Sequence, residues 1–477
     1  MKDSDRKKII SMVEQRETYF HALSDAVWRT PELFFQEKQS SGTLIAALEE
    51  LGFFVEKNVA GISTAFTGTY GSGHPVIAIL GEFDALPQLS QEAACTEKKP
   101  VEEGAPGHGC GHNALGAASM AAAAAVKDYL EATGGQGTIR YYGCPAEEGG
   151  SGKSFMVAAG AFRDVDAAVT WHPDTKTCVM GVNQLAIQSV YFTFHGKSAH
   201  AAGCPDLGRS ALDACELTNV GVNYLREHVV QEARIHYAYQ DVGGPAPNVV
   251  QDHACLKYYI RAPKIGQMLD IARRVKQIAR GAALMTETEL DVRVEFGMCD
   301  LQPNDVIGKI MAEELAAAGG PVFDEEDRRL ARAFREQYSR ELIDNDIKDL
   351  ANYMDTDKAE AYRDTLLMDT PLPYYRKYVA KAGSSDVGDV SYAVPTAWLN
   401  VAGCAFGTPF HSWYATAMSG SSIMHKAITC AAKTLALTAV RLMREPERIR
   451  QAKEEHEAVT GGVYTSPMSG ETVRWNG

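Results

Sequence analysis

The sequence predicts an α/β layered fold interrupted by a smaller α+β module. Three observations predict it. Short apolar runs bounded by Pro and Gly, such as Val76-Ile77-Ala78-Ile79-Leu80 between Pro75 and Gly81, alternate with helical stretches. Residues 188–299 have a different rhythm, in which strands and helices fit the order β-α-β-β-α-β of a ferredoxin-like unit. The length of 477 residues asks for two or three domains at roughly 150 residues each.

Taken in order, residues 4–28 read as one amphipathic helix closed by Pro31, and 37–51 as a second helix stopped by Gly52. The strand 76–80 comes next, followed by a polar loop reaching Gly107. An Ala-rich helix spans 113–131, with further strands at 138–142, 167–171 and 397–402. In the module, strands fall at 188–195, 253–261 and 288–296, with helices at 209–228 and 268–285. Leu330, Phe334, Tyr338 and Leu342 recur every four residues and predict one surface helix with a single buried stripe. A last helix spans 428–442, and the final fifteen or so residues read as a loose tail.

Composition narrows the function classes. Forty-seven basic against 61 acidic residues leave a charge of −14, so no basic stripe is available for nucleic acid. No run approaches 18 uninterrupted apolar residues, which argues against a membrane span. The N-terminus is charged and lacks the apolar core of a signal peptide, so a cytoplasmic location is expected. The ten cysteines are scattered without a CxxC pair and are expected to stay reduced.

One cysteine stands apart. In His108-Gly109-Cys110-Gly111-His112-Asn113, Cys110 and His112 are alternate residues that can face one site, and a thiolate with an imidazole is a metal pair. A loop histidine cluster beside a buried thiol is the plain alternative for this motif alone. Other ligand types then follow the predicted strands: Asp84 after 76–80, Glu147 and Glu148 after 138–142, His172 after Trp171 and His411 after 397–402. The carboxyl ends of strands are where open α/β sheets build their sites, so a metal site accounts for the coincidence better than solvated side chains do. Sulfur, imidazole and carboxylate suit zinc, manganese or iron, and a carboxylate left free beside the metals can act as general base on water. That is a hydrolase constellation. Gly152-Lys153-Ser154 lacks the upstream glycine of a phosphate loop, and Gly383-Ser384-Ser385-Asp386-Val387 lacks the last glycine of a nucleophile elbow.

The segments Gly81–Pro87, His108–Asn113, Pro145–Gly150, Trp171–Pro173 and His195–Ala202 resemble the aminoacylase/carboxypeptidase metallohydrolases. More narrowly, they resemble the amidohydrolase branch in which Cys replaces a bridging Asp. Leu207–Ala214, Asn248–Gln251, Gly281–Thr288 and Ser385–Ser391 are similar to the aminobenzoyl-glutamate hydrolases of B-chain type. The resemblance implies a two-metal, aminopeptidase-like catalytic domain from 1–187 and 300–460, an inserted lid and dimerisation domain at 188–299, and a tail at 461–477. It implies Cys110, His112, Glu148, His172 and His411 as ligands of two divalent ions, manganese favoured and zinc possible. Glu147 would be the base, Asp84 would orient a ligand, His200 would reach a neighbouring subunit's site, and Asn248 with Arg261 would bind a substrate carboxylate. A homodimer through the lid, or a heteromer with a related A-type chain, is expected, acting on a small amide that carries a carboxylate. The rivals are a dipeptidase or N-acyl-amino-acid hydrolase with the same machinery, and a non-catalytic partner chain. Two stretches depart from the pattern, the long loop 88–107 and the helical insertion 322–370.

Overall fold

The computed structural model describes residues 1–470 and the strand Thr472–Arg474. Seven strands form one mixed sheet in the order Phe54–Lys57, Phe66–Ser72, Gly137–Cys144, Val76–Glu82, Ala167–Asp174, Thr396–Ala402 and Cys178–Val179. The four strands from Gly137–Cys144 to Thr396–Ala402 run parallel, and the outer pairings are antiparallel. Val76–Glu82 and Thr396–Ala402 are buried along their whole length, which is why they read as unbroken apolar runs.

The Ala-rich helix His112–Thr133 is buried along most of its length. It packs on Val76–Glu82 and against the helices Asp3–Glu14, Glu17–Trp28 and Ser422–Arg444. Small side chains let it lie close to the sheet: a Cβ on Gly116 would stand 2.8 Å from the carbonyl oxygen of Glu82. The helix start, which carries His112, is thereby held at the carboxyl end of a central strand.

The second sheet is antiparallel, ordered Glu289–Met298, Ala186–His195, His253–Ala262 and Arg234–Asp241. The helices Ala211–Leu225 and Ile265–Thr286 pack on it, so the chain order through this segment is β-α-β-β-α-β. Arg234–Asp241 is the strand that sequence reading left unplaced; it is an edge strand, mostly exposed, with no apolar run to mark it.

Three expectations are corrected. The helix over 4–28 is two helices, Asp3–Glu14 and Glu17–Trp28, because Arg16 leaves helical geometry and lets both halves dock on the Ala-rich helix. The single helix through Leu330 and Leu342 is likewise two, Glu325–Arg335 and Arg340–Leu350. Ser339 is extended at the break, and the buried Tyr338 turns its hydroxyl to Thr408 Oγ1 at 2.8 Å. The start of the tail is not loose: Val463–Thr465 pairs with Thr472–Arg474, and the buried Tyr464 donates to Asp389 Oδ1 at 2.8 Å. Residues 471 and 475–477 of that expected tail lie outside the described residues. All ten cysteines are free thiols, and among the described residues no helix is long and apolar enough to cross a membrane.

Candidate metal centre

The residues named from sequence gather where the parallel strands end. Val76–Glu82 delivers Glu82 and, two residues on, Asp84; Gly137–Cys144 leads into Glu147 and Glu148; His172 lies on Ala167–Asp174. His411 follows Thr396–Ala402 through a loop whose turn back is tied by its N–H to the Gly109 carbonyl at 3.0 Å. Two backbones here are left-handed without being glycine, Ala146 (φ 62°) next to Glu147 and His411 (φ 58°). Conformations of that kind persist only where surroundings over-determine them, and they concentrate at functional sites. Gly111 (φ 77°) caps the Ala-rich helix, and a Cβ there would meet Pro173 at 2.7 Å, so the turn between Cys110 and His112 requires glycine.

Cys110 Sγ lies 3.3 Å from His172 Nε2, and His411 Nε2 lies 3.4 Å from Glu148 Oε2. Among the described residues, ligand atoms fall into three groups, each within 4.8 Å: Cys110, His112 and His172; Cys110, Glu148 and His411; and Glu82, His112 and Glu147. Cys110 and His112 each belong to two of them.

The surroundings of the histidines fit a metal. His112 Nδ1 is 2.9 Å from Asp84 Oδ1, and His172 Nδ1 donates to the Pro173 carbonyl at 2.6 Å. Each contact leaves Nε2 as the ring nitrogen turned to the site, the arrangement by which outer partners fix a ligating imidazole. His112 Nε2 and Glu148 Oε1 are buried and make no hydrogen bond, although Glu82 Oε2 lies 3.2 Å from His112 Nε2. Atoms left without a hydrogen bond are costly to bury, and both belong to side chains of types that can ligate a metal. Asp84 also accepts the Glu148 backbone N–H at 2.9 Å, so one carboxylate orients two candidate ligands.

Glu147 stands apart from the salt bridges. Burial, together with the Glu82, Glu148 and Asp386 carboxylates, holds its carboxyl well above the usual range. It lines a cavity of about 450 Å³ with Cys110, Glu148, His172 and His411.

The structure brings other expected residues less close. Arg261 reaches the cavity through Ser384, donating to its Oγ at 3.0 Å, and forms no ion pair among the described residues. His200 and Asn248 are exposed on the smaller module and do not line the cavity of their own chain. They are linked by backbone, the Ala201 N–H donating to the Asn248 carbonyl at 2.9 Å.

Sequence reading missed a buried triad behind the site. Lys153 Nζ lies 2.6 Å from Glu82 Oε1 and 2.5 Å from Asp386 Oδ1, and the Lys153 N–H donates to Asp386 Oδ2 at 2.8 Å. The other Glu82 oxygen is 3.2 Å from His112 Nε2. Glu82 could have been found from its spacing, since it precedes Asp84 by two residues; Lys153 was weighed only as part of a false phosphate loop. Breaking such a pair strands buried charge. Lys153→Met is expected to cost about 3–5 kcal/mol, read as a lowered urea midpoint with unchanged slope.

The sequence pattern of peptidase family M20/M25/M40 matches residues 78–436. The chain is 43% identical over 445 residues to the B component of the p-aminobenzoyl-glutamate hydrolase of Escherichia coli K12, covering 92% of each protein. It is 28% identical over 303 residues to the Xaa-Arg dipeptidase of Mus musculus, covering 61% of this chain and 66% of that one. The crystal structure of an aminobenzoyl-glutamate utilization protein from Klebsiella pneumoniae shares the fold, with TM-score 0.58 at 17% identity, over 91% of this chain and 97% of that one. With over half its length matched by the family pattern and a near full-length relative above 40% identity, the chain belongs to peptidase family M20/M25/M40 and is a metal-dependent hydrolase.

Proposed function

We propose that this chain cleaves the amide bond of p-aminobenzoyl-glutamate, releasing p-aminobenzoate and glutamate. The end-to-end match to the E. coli hydrolase component carries the reading, and the cavity chemistry agrees with it. Cys110 would bridge two divalent ions, with His112, Glu148, His172 and His411 completing the set. Manganese is favoured by the family likeness, while the thiolate keeps zinc in view. When bound, the ions polarise the scissile carbonyl and bring the pKa of water towards neutrality.

The protein's own groups do the rest. Glu147 takes a proton from the attacking water onto its carboxylate and passes it to the leaving amide nitrogen. Asp84 keeps His112 oriented through Nδ1. Arg261, half-buried and without an acidic partner among the described residues, offers a planar fork to the glutamate carboxylate, with Asn248 contributed from the module.

The module also supports assembly. It presents Tyr224, Tyr237, Leu284, Met285 and Val292 to solvent, large apolar side chains of the kind a dimer interface covers. We read residues 1–187 and 300–460 as the catalytic domain and 188–299 as the lid and dimerisation domain. A heteromer with a related A-type chain is the alternative assembly, and the cell interior is the expected location.

Metal removal tests the reading. Dialysis against a chelator should abolish hydrolysis of p-aminobenzoyl-glutamate, and manganese should restore it better than zinc, by initial rates with metal analysis. A purified chain that binds no divalent metal and hydrolyses neither aroyl-glutamates nor dipeptides would instead be a non-catalytic partner. Preference for dipeptides would move the substrate class while leaving the machinery in place.

A further inference from the structure

The cavity continues past the metal ligands into an arm that the assigned roles leave unused. Along Ala167–Asp174, His172 and Asp174 are alternate residues, so their side chains share one face of the strand, roughly 7 Å apart. That spacing is about the length of a para-substituted benzoyl group from carbonyl carbon to ring substituent. Both residues line the cavity.

The near part of the arm is aromatic. The His172 ring lies 5.9 Å from Trp398 at 28° and 6.0 Å from Phe410 at 58°, and both neighbours line the same cavity. The far part is polar and comes largely from the insertion. Helix Arg340–Leu350 presents Leu342, Asn345, Asp346 and Asp349 to the cavity. Lys176 is held there among Asp174 at 2.6 Å, Asp349 at 2.8 Å and Asp346 at 3.5 Å, and Lys381 holds Asp349 at 2.8 Å. Three carboxylates therefore face two ammonium groups.

Two acceptors in this wall have no protein donor among the described residues, one half-buried and one buried. Asp174 uses Oδ1 for Thr175 and Lys176, while Oδ2 has no partner among the described residues. Gln184, only 9% exposed, lines the cavity with Oε1 buried and unbonded. Its backbone pairs in register with Lys381, which places the amide in the same wall. Gln184 Oε1, buried without a donor, is unfavourable in the free protein and is satisfied by a ligand N–H or O–H, whereas Asp174 is half-buried and lines the cavity, where a ligand donor can take the place of water.

We propose that this arm is the acyl-group subsite and selects flat aryl groups bearing a hydrogen-bond donor at the far end, with Asp174 Oδ2 accepting from an aryl amine and the Gln184 amide as its second polar contact. The proposal rests on the aroyl-glutamate reading above and deepens it: it assigns the insertion helix to specificity, and it places the discriminating acceptor on the same strand as a candidate metal ligand. A site built to bond a substrate N–H discriminates strongly against the analogue that lacks it, because its acceptors are then left unpaired.

The test compares kcat/KM for 4-aminobenzoyl-glutamate, benzoyl-glutamate and acetyl-glutamate on the manganese-loaded, full-length protein. The wild type should prefer the amino compound to benzoyl-glutamate by about tenfold or more. Asp174→Asn and Gln184→Leu should each shrink that ratio several-fold, by lowering the amino-compound rate more than the benzoyl rate. Should Asp174→Asn fail to fold, Gln184→Leu and competitive inhibition of the wild type by 4-aminobenzoate against benzoate read the same preference. Equal wild-type rates on the two aroyl-glutamates, or variants that lower both rates equally, overturn the subsite while sparing the aroyl-glutamate reading. Hydrolysis of dipeptides with no turnover of either aroyl-glutamate overturns the reading itself, and the subsite with it.

Discussion

Glu147→Gln is expected to lower kcat on p-aminobenzoyl-glutamate by about 10²–10⁴-fold while the purified variant keeps its full metal content. Glutamine preserves shape and hydrogen bonding but cannot hold the travelling proton. The geometry separates Glu147 from its neighbour. Glu148 has one oxygen 3.4 Å from His411 and the other 4.0 Å from His112, the position of a ligand between two imidazoles. Glu147 shares a group with His112 and Glu82 but forms no salt bridge among the described residues, and burial with the Glu82, Glu148 and Asp386 carboxylates raises its pKa. Glu148→Gln should therefore lose metal as well as rate. If Glu147→Gln lost metal and Glu148→Gln kept it, the two roles would have to be exchanged. The two measurements, metal stoichiometry and kcat, make the assignment decidable with a single pair of variants.

The parts of the site that could be read in the sequence are those whose chemistry is local. Cys110 and His112 sit in one six-residue motif, Glu147 and Glu148 are adjacent, and each expected ligand follows a strand that its apolar run announces. Parallel strands place such residues at one edge without any knowledge of distant contacts. What escaped depended on distance. Lys153 and Asp386 are 233 residues apart in the chain, and neither carries a pattern that points to the other. Asp349 and Lys176 meet only because helix Arg340–Leu350 folds back over the cavity, and its own periodicity predicted a surface element. The helix breaks at Arg16 and Ser339 escaped for a similar reason: neither has Gly or Pro, and each is set by the surface on which the helices dock.

His200 provides the second large expectation, because its own cavity does not include it. Its Nδ1 accepts the backbone N–H groups of Ala202 at 3.2 Å and Gly203 at 3.0 Å, which leaves Nε2 as the protonated nitrogen. An exposed imidazole presenting a fixed donor suits a carbonyl oxygen that gains negative charge during the reaction, and removing one such donor costs about 10²–10³-fold in kcat. His200→Ala should show that loss with metal content intact. If the donor acts in the neighbouring subunit's site, two inactive variants should complement each other. In mixtures of Glu147→Gln and His200→Ala chains, half of the reassorted dimers would hold one site with both residues intact. Activity should then return to about a quarter of wild type, the share that random pairing in a two-fold dimer allows. Activity that stays at the sum of the two variants after subunit exchange, verified by mass, would return His200 to its own chain. Lid closure within one protomer would then have to carry it to the cavity.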